Sequence, residues 1–459
     1  MSRVAIVALY LSASALSAQE SQLAADFRKE GEALKETCGA FKLKSIPSCA
    51  ATLFTDHPLH IAAGSIAPQN GFGAGLAFVS HYTPNESWRL SFNADGVASS
   101  NGSWRAGGYM TAVYVPRRTI VVLPGGSGTS NLSVREYPVF HVYGQSTTLN
   151  KLSYFGIGPD TRDTARTYFG MRQTIAGGDV VWPVWKKLNV SLLGEINSRS
   201  VDIRPTTGLP SPSIEKVFTN ITAPGLTRQP AFAQFGEGIR FRPAFANGHA
   251  RLNYLVKFQQ FAATGDSTYS FQRLTTDLGH EFPLYRNSRS LLPKDSNGPD
   301  DCRASVTGKS CPAVSRDREG SVSFRFLMNQ SFVATGHTVP FYFQQTLGGT
   351  DINGAATLAS FQDYRFRAPN NILVRAAFEH SIYGPLGFAA TADAGKVALQ
   401  RGDLDFTKLR HSYSVGMTLR AGGFPMIFLM FAFGGGEGMH TTVNMNTSLL
   451  GGSARPPLN

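Results

Sequence analysis

Trp88, Leu90, Phe92 and Ala94 alternate with Arg89, Ser91, Asn93 and Asp95, and this period of two constrains the fold more than any other feature of the chain. Successive side chains of an extended strand point to opposite faces, so the segment has one apolar and one polar surface as a strand and neither as a helix. The same code returns at Tyr413, Val415, Met417 and Leu419 against Ser412, Ser414, Gly416, Thr418 and Arg420. It returns at Val322, Phe324, Phe326 and Met328, at Leu252, Tyr254, Val256 and Phe258, and at Ile372, Val374, Ala376 and Phe378, each time interleaved with polar or charged residues. From residue 71 to 450 no helical pattern or linker interrupts it.

Composition narrows the classes. Only 16% of the residues are charged, against 42% hydrophobic, 11% aromatic and 47 glycines, whereas a soluble enzyme usually carries about a quarter charged. After Met1–Ala18 no run of 18 apolar residues occurs, which excludes a helical membrane protein. Two β classes remain: a secreted soluble β-protein used for adhesion, and a barrel whose lipid-facing residues occupy every second position. A soluble sandwich of this length is expected to split into domains, whereas one closed sheet satisfies every backbone group in lipid and leaves no edge. The favoured fold class is therefore all-β, a transmembrane antiparallel β-barrel of about 16 strands with a short N-terminal periplasmic segment.

The first residues bear on the compartment. Arg3, the apolar run Val4–Leu11 and the small residues Ala13 to Ala18 form a secretory signal peptide, 1–18. Its removal lowers the formal charge of +12 to about +11. Residues 19–70 are read as the periplasmic segment, with a short amphipathic helix in 20–42, residues 71–450 as the barrel and 451–459 as a tail. In an exported chain, Cys38 with Cys49 and Cys302 with Cys311 are candidates for two local disulfide loops. Neither pair has the Cys-x-x-Cys spacing that zinc favours.

The expected strands are 72–81, 87–98, 104–114, 118–124, 134–146, 164–180, 187–200, 231–243, 250–263, 268–284, 319–333, 370–383, 387–398, 410–421, 425–434 and 439–450, with 334–369 a long loop. Counted from a periplasmic N-terminus, the turns Ser99–Ser103, Val184–Lys187, Tyr383–Leu386 and Ala421–Phe424 fall on the periplasmic side. The connections 115–133, 147–163, 201–230 and 334–369 then fall outside, and the 285–318 insert in the periplasm.

Two stretches go beyond pattern. Pro340–Thr350, Leu358–Phe361, Tyr364–Arg367, Phe378-Glu379 and Ala390–Val397 resemble, in order and spacing, the C-terminal half of the bacterial surface antigen family of BamA/TamA-type outer-membrane barrels. Tyr154–Thr161 is similar to a loop motif of the same family. The resemblance implies a sixteen-stranded barrel whose long loop folds back into the lumen, where a loop arginine pairs with an acidic residue of a neighbouring strand. Here Leu358, Ala359, Ser360 and Phe361 occupy the loop motif, so Ala359 stands at the arginine position, while the acidic partner Asp393 and Gly395 are retained. A dry, unpaired carboxylate is costly. Either Arg365 or Arg367, held with Tyr364, is therefore expected to reach Asp393, or the lumen is wet there. Residues 19–70 are too few to hold one of the polypeptide-transport domains that assembly and translocation members carry.

No catalytic residues stand out. Gly265-Asp266-Ser267 reads as a tight turn, Gly125–Thr129 lacks the second glycine of a nucleophile elbow, and Thr307–Ser310 lacks the upstream glycine of a phosphate loop. The expectation is a non-enzymatic barrel with no cofactor and no metal. Arg89, Arg105, Arg240, Arg242, Arg251, Arg273, Arg325, Arg375 and Arg420 fall on lumenal positions, where Asp95, Asp277, Glu281, Glu379 and Asp393 can pair with them as a ladder. Expected partners are outer-membrane lipid and lipopolysaccharide, with other outer-membrane or periplasmic proteins as further candidates. Nucleic acid is excluded, because no basic cluster is interleaved with stacking aromatics.

Overall fold

The computed structural model describes residues 59–115, 137–245, 249–290, 315–383, 386–421, 424–445 and 455–458. Its strands are β1 (Leu59–Ser65), β2 (Phe72–Asn85), β3 (Trp88–Ser99), β4 (Trp104–Tyr114), β5 (Val139–Tyr154), β6 (Thr167–Trp185), β7 (Val190–Arg204), β8 (Phe232–Phe241) and β9 (Ala244–Phe245). They continue as β10 (Ala250–Ala263), β11 (Phe271–Ser290), β12 (Ser315–Phe332), β13 (Gln345–Leu347), β14 (Phe366–Ala368), β15 (Asn370–Tyr383), β16 (Leu386–Ala398), β17 (Arg410–Ala421), β18 (Phe424–Phe433) and β19 (His440–Met445).

Sixteen of these form one antiparallel meander in which each long strand pairs with the next, from β1–β2 to β18–β19. The two-residue β9 continues the ladder on β10, and β13 pairs with β14 as a separate ribbon in the long loop. Among the described residues no ladder joins β1 to β19. The sheet is nevertheless rolled, because one loop, 333–369, touches the 66–70 turn, the connections after β5 and β7, and strands β11, β15, β16 and β17. A flat sheet of this width cannot offer all of those surfaces to one short segment.

The period of two becomes two opposite environments. On β7, Ile196 is 59% exposed and its neighbour Asn197 only 4%. Outward rows of apolar residues meet across the ladders, as in Tyr413↔Phe433, Val415↔Phe431 and Met417↔Leu429, while Gln145, Gln173, Gln234 and Gln259 are buried inside. In water this arrangement is inside out: contiguous apolar rows stay exposed and amides are enclosed. Toward the end with the shorter turns, aromatic rings gather across strands β3 to β6, Trp88 with Tyr114 at 5.2 Å, Trp88 with Phe140 at 6.0 Å and Phe140 with Trp182 at 6.2 Å. Aromatic girdles of this kind sit at membrane interfaces.

Several expectations need correction. Leu59–Ser65 is a strand paired to β2 in full register, so it belongs to the sheet and not to a periplasmic segment running to residue 70. Its pattern is masked because Ala62, Ala63 and Gly64 are small and give no contrast between faces. β4 pairs directly with β5, so no strand lies between them in the sheet, and 118–124 falls outside the described residues. One strand gained and one lost keeps the total at sixteen but reverses the direction of β2, β3 and β4. The Ser99–Ser103 turn therefore lies at the end with the long loops, where Ser103 Oγ donates to Asn70 Oδ1 at 2.8 Å. The 115–133 connection leaves from the opposite end. The signal peptide, the 20–42 helix and Cys38, Cys49, Cys302 and Cys311 lie outside the described residues.

Candidate functional site

The lumen is filled by the 333–369 loop, and the loop is shaped by its own backbone. After Phe332 the chain enters the lumen through Val339, Phe341, Tyr342 and Phe343, all buried. Phe341 lies 5.3 Å from the Tyr154 ring and 5.1 Å from Phe169; Phe343 lies 4.9 Å from Phe232 and 5.4 Å from Phe261. The strand ends around them present Leu149, Leu152, Met171 and Phe271 inward, so this end of the lumen holds a buried apolar cluster, unlike the uniformly polar interior that alternation alone suggests. On β5 the switch falls at an irregularity between Leu149 and Leu152, where the ladder slips and re-aims side chains.

β13 and β14 then close a compact lobe. Gly348 sits at φ +108°, a left-handed conformation that favours glycine, and a Cβ there would lie 2.8 Å from the Gln362 carbonyl oxygen. Across this crossing Gly348 N–H donates to Thr357 O and Tyr364 N–H to Gly348 O. Asp363 Oδ1 accepts from Thr350 N–H at 2.9 Å, and burial pushes its carboxyl upward.

The lobe is fastened on several sides. The Arg365 guanidinium donates to Glu437 Oε1 at 2.5 Å and to the Thr161 hydroxyl and carbonyl at 2.7 and 2.6 Å, with Phe155 and Phe366 rings 5.0 and 4.8 Å away. Arg367 donates to Phe341 O at 2.7 Å, and its own carbonyl accepts from Gly158 N–H at 2.7 Å. Burial pulls the Arg367 guanidinium down to about 10. Tyr364 is buried with its hydroxyl on Pro68 O at 3.2 Å. The two stretches singled out by resemblance, 154–161 and 340–397, thus meet inside the barrel.

Asp393 is not reached by Arg365 or Arg367, and so both of those expectations are overturned. Its partner is Arg375, directly opposite it in the β15–β16 ladder, with Nε to Oδ1 at 2.7 Å and Nη2 to Oδ2 at 2.8 Å. Nor is the carboxylate wet, since its side chain is 1% exposed. It also accepts from Leu358 N–H at 3.2 Å, and Arg375 donates to Ala356 O at 2.6 Å. The loop tip therefore meets the pair with its main chain: Ala359 and Ser360 are buried beside it, and Ser360 N–H donates to Ser412 Oγ at 2.9 Å. Leu358 and Phe361 pack with Leu347, Phe366, Leu373 and Val397. Gly395 makes room, because a Cβ there would lie 2.7 Å from Ile372 O and 3.2 Å from Leu347.

Other lumenal charges pair between neighbouring strands, Arg105 with Asp95 at 3.3 Å, Arg251 with Glu281 at 3.1 Å and Arg325 with Asp277 at 2.8 Å, and Lys257 of β10 reaches across β8 to Glu195 of β7. Arg273 is buried and donates to Phe343 O. Glu437 was not picked out from the sequence; Thr161 was named only within the 154–161 motif, and Arg375 and Asp393 were linked only as members of the lumenal ladder, and counting register across the Tyr383–Leu386 turn is the signal that makes them partners. Among the described residues, no group of three or more His, Cys, Asp or Glu side chains is placed to hold a metal.

Fold and site together define an antiparallel β-barrel whose lumen is closed by a loop of its own chain. No protein-family model matches the sequence, and no curated protein matches it. Among solved structures, it is similar to BamA from Haemophilus ducreyi lacking POTRA domains 1-3, at 9% identity and a TM-score of 0.45 over 84% of this chain and 68% of that one. It is also similar to CdiB from Acinetobacter baumannii, at 10% identity and a TM-score of 0.42, and to CdiB from Escherichia coli, at 10% identity and 0.43. Both CdiB matches cover 82% of this chain, and the chain spans 55% and 59% of their respective lengths.

Proposed function

We propose that this chain is a non-enzymatic outer-membrane β-barrel of the bacterial surface antigen type, occluded at rest by the 334–369 loop. The observation that carries the reading is the joint inversion of the sheet: outward apolar rows such as Val415, Met417 and Leu429 beside inward amides and ion pairs that converge on a buried loop. Lipid is the solvent in which that outward face costs least. Its partners in this reading are outer-membrane lipid and the phosphates of lipopolysaccharide, met by basic residues in the connections.

Occlusion is the function the geometry supports best. Arg365 ties the loop to Glu437 and Thr161 and Tyr364 ties it to Pro68, while the Arg367 carbonyl takes the Gly158 N–H and its guanidinium braces the loop on Phe341 O; Asp393 and Arg375 seat the tip. Planar-bilayer recording tests this: the intact chain gives little current, and deletion of 350–362 opens a steady pore. Silence in both removes the pore reading. Unchanged gel mobility on boiling, after detergent extraction, removes the membrane barrel itself and favours a soluble β-protein for adhesion.

A further inference from the structure

Residues Arg455–Leu458 lie inside the lumen, against β3 and the 333–369 loop. The Arg455 guanidinium donates to Asp95 Oδ2 on β3 at 2.6 Å. Leu458 is 8% exposed within the apolar cluster that also holds Ile66 and Tyr364. Its N–H donates to Asn353 Oδ1 at 2.7 Å. Asn353 belongs to the loop turn capped by Asp351, whose Oδ1 accepts from Asn353 N–H at 3.0 Å and Ala355 N–H at 2.7 Å. The segment thus joins the barrel wall to the plug with one charged, one polar and one apolar contact. Pro456 and Pro457 restrict the backbone between them and lower the ordering cost of binding.

Asp95 does not need this segment. It also accepts from Arg105 Nη2 and from the Tyr109 hydroxyl, each at 3.3 Å, so departure of Arg455 leaves a paired carboxylate and not a buried orphan. A contact that is specific at both ends but whose receptor stays satisfied when empty has the chemistry of an exchangeable ligand.

We propose that the lumenal wall around Asp95, together with the 351–355 turn, is a recognition site for a short proline-stiffened peptide carrying an arginine three residues before an aliphatic side chain. Arg455–Leu458 occupies it in cis. A second peptide of the same chemistry competes for it, and its entry frees the loop turn from the wall. This assignment does not depend on whether the barrel conducts.

The test uses a fluorescein-labelled synthetic peptide with the sequence of residues 451–459, titrated against the full chain in detergent by fluorescence anisotropy. Arg455→Glu in the full chain expels the occupant by like-charge repulsion while leaving the Arg105–Asp95 pair in place. Removal of 451–459 vacates the site a second way. Both variants are expected to bind the peptide at least tenfold more tightly than the unaltered chain, and Asp95→Asn added to either abolishes the gain, as does an Arg→Glu change in the peptide. No saturable binding to Arg455→Glu, or binding indifferent to Asp95, overturns the proposal. Retained heat-modifiable mobility reports that each variant is folded.

Discussion

Arg375 and Asp393 face each other across the β15–β16 ladder and share two hydrogen bonds of 2.7 and 2.8 Å, with Asp393 almost fully enclosed. The cation that answers the carboxylate beneath the loop tip therefore comes from the neighbouring strand and not from the loop. Ala359 follows directly. Once the strand supplies the charge, the tip needs only main-chain groups, Leu358 N–H and Ala356 C=O, to engage the pair.

Arg375→Ala is expected to destabilise the barrel by about 3–5 kcal/mol, the usual cost of leaving one member of a buried ion pair alone. Urea unfolding in detergent micelles, followed by the boiled-to-unboiled gel shift, measures it. Adding Asp393→Asn removes the orphan charge and is expected to recover part of the loss. Equal instability of the single and double variants contradicts the pairing.

Gly395→Val places a branched side chain against Ile372 O and Leu347. Overpacking of this kind costs about 1–3 kcal/mol, and the softer partner yields first. The expected result is a displaced loop: raised single-channel current with the gel shift preserved, and faster labelling of a cysteine placed at Ser360. Unchanged current and labelling rule out a tight seat for the loop tip on β16.

Val415→Arg tests which solvent the outer face meets. Val415 lies opposite Phe431 in an apolar row, and an arginine near the bilayer midplane costs about 2–4 kcal/mol in a transmembrane barrel. Refolding yield into lipid vesicles should fall accordingly. On a water-facing surface the same change costs less than about 0.5 kcal/mol, and that result favours the soluble reading.

Asp405, in the connection after β16, accepts from the Lys396 ammonium and from Thr407, which pulls its carboxyl down to about 2 from an ordinary 3.8. A depressed folded-state value means that the contact stabilises above the unfolded value and is lost as pH falls through the folded one. Pepsin nicking within 399–409 should therefore increase between about pH 4 and pH 2. Lys396→Met should move that onset to higher pH.

Much of the wall was legible because period-two alternation is local. The expected strands at 104–114, 250–263, 370–383 and 410–421 coincide with β4, β10, β15 and β17. Strand β1 was not, since Ala62, Ala63 and Gly64 carry no contrast. Nor was the apolar inner collar of Leu149, Leu152 and Met171, because inward apolar residues look like outward ones until closure decides which side they are on. The motifs at 154–161 and 340–367 did point to the loop, and their meeting through Arg365 with Thr161 is a contact between residues 204 positions apart.

By itself, the sequence determined that these strands have two unlike faces and that one face must avoid water, because the backbone's pleat turns every second residue the same way whatever it packs against. Tertiary structure alone decided which arginine answers Asp393, where Phe341 and Phe343 are buried and how Arg455 comes to rest on Asp95. Those choices depend on register and closure, which bring together groups separated by tens to hundreds of residues. Short-range periodicity carries no information about them.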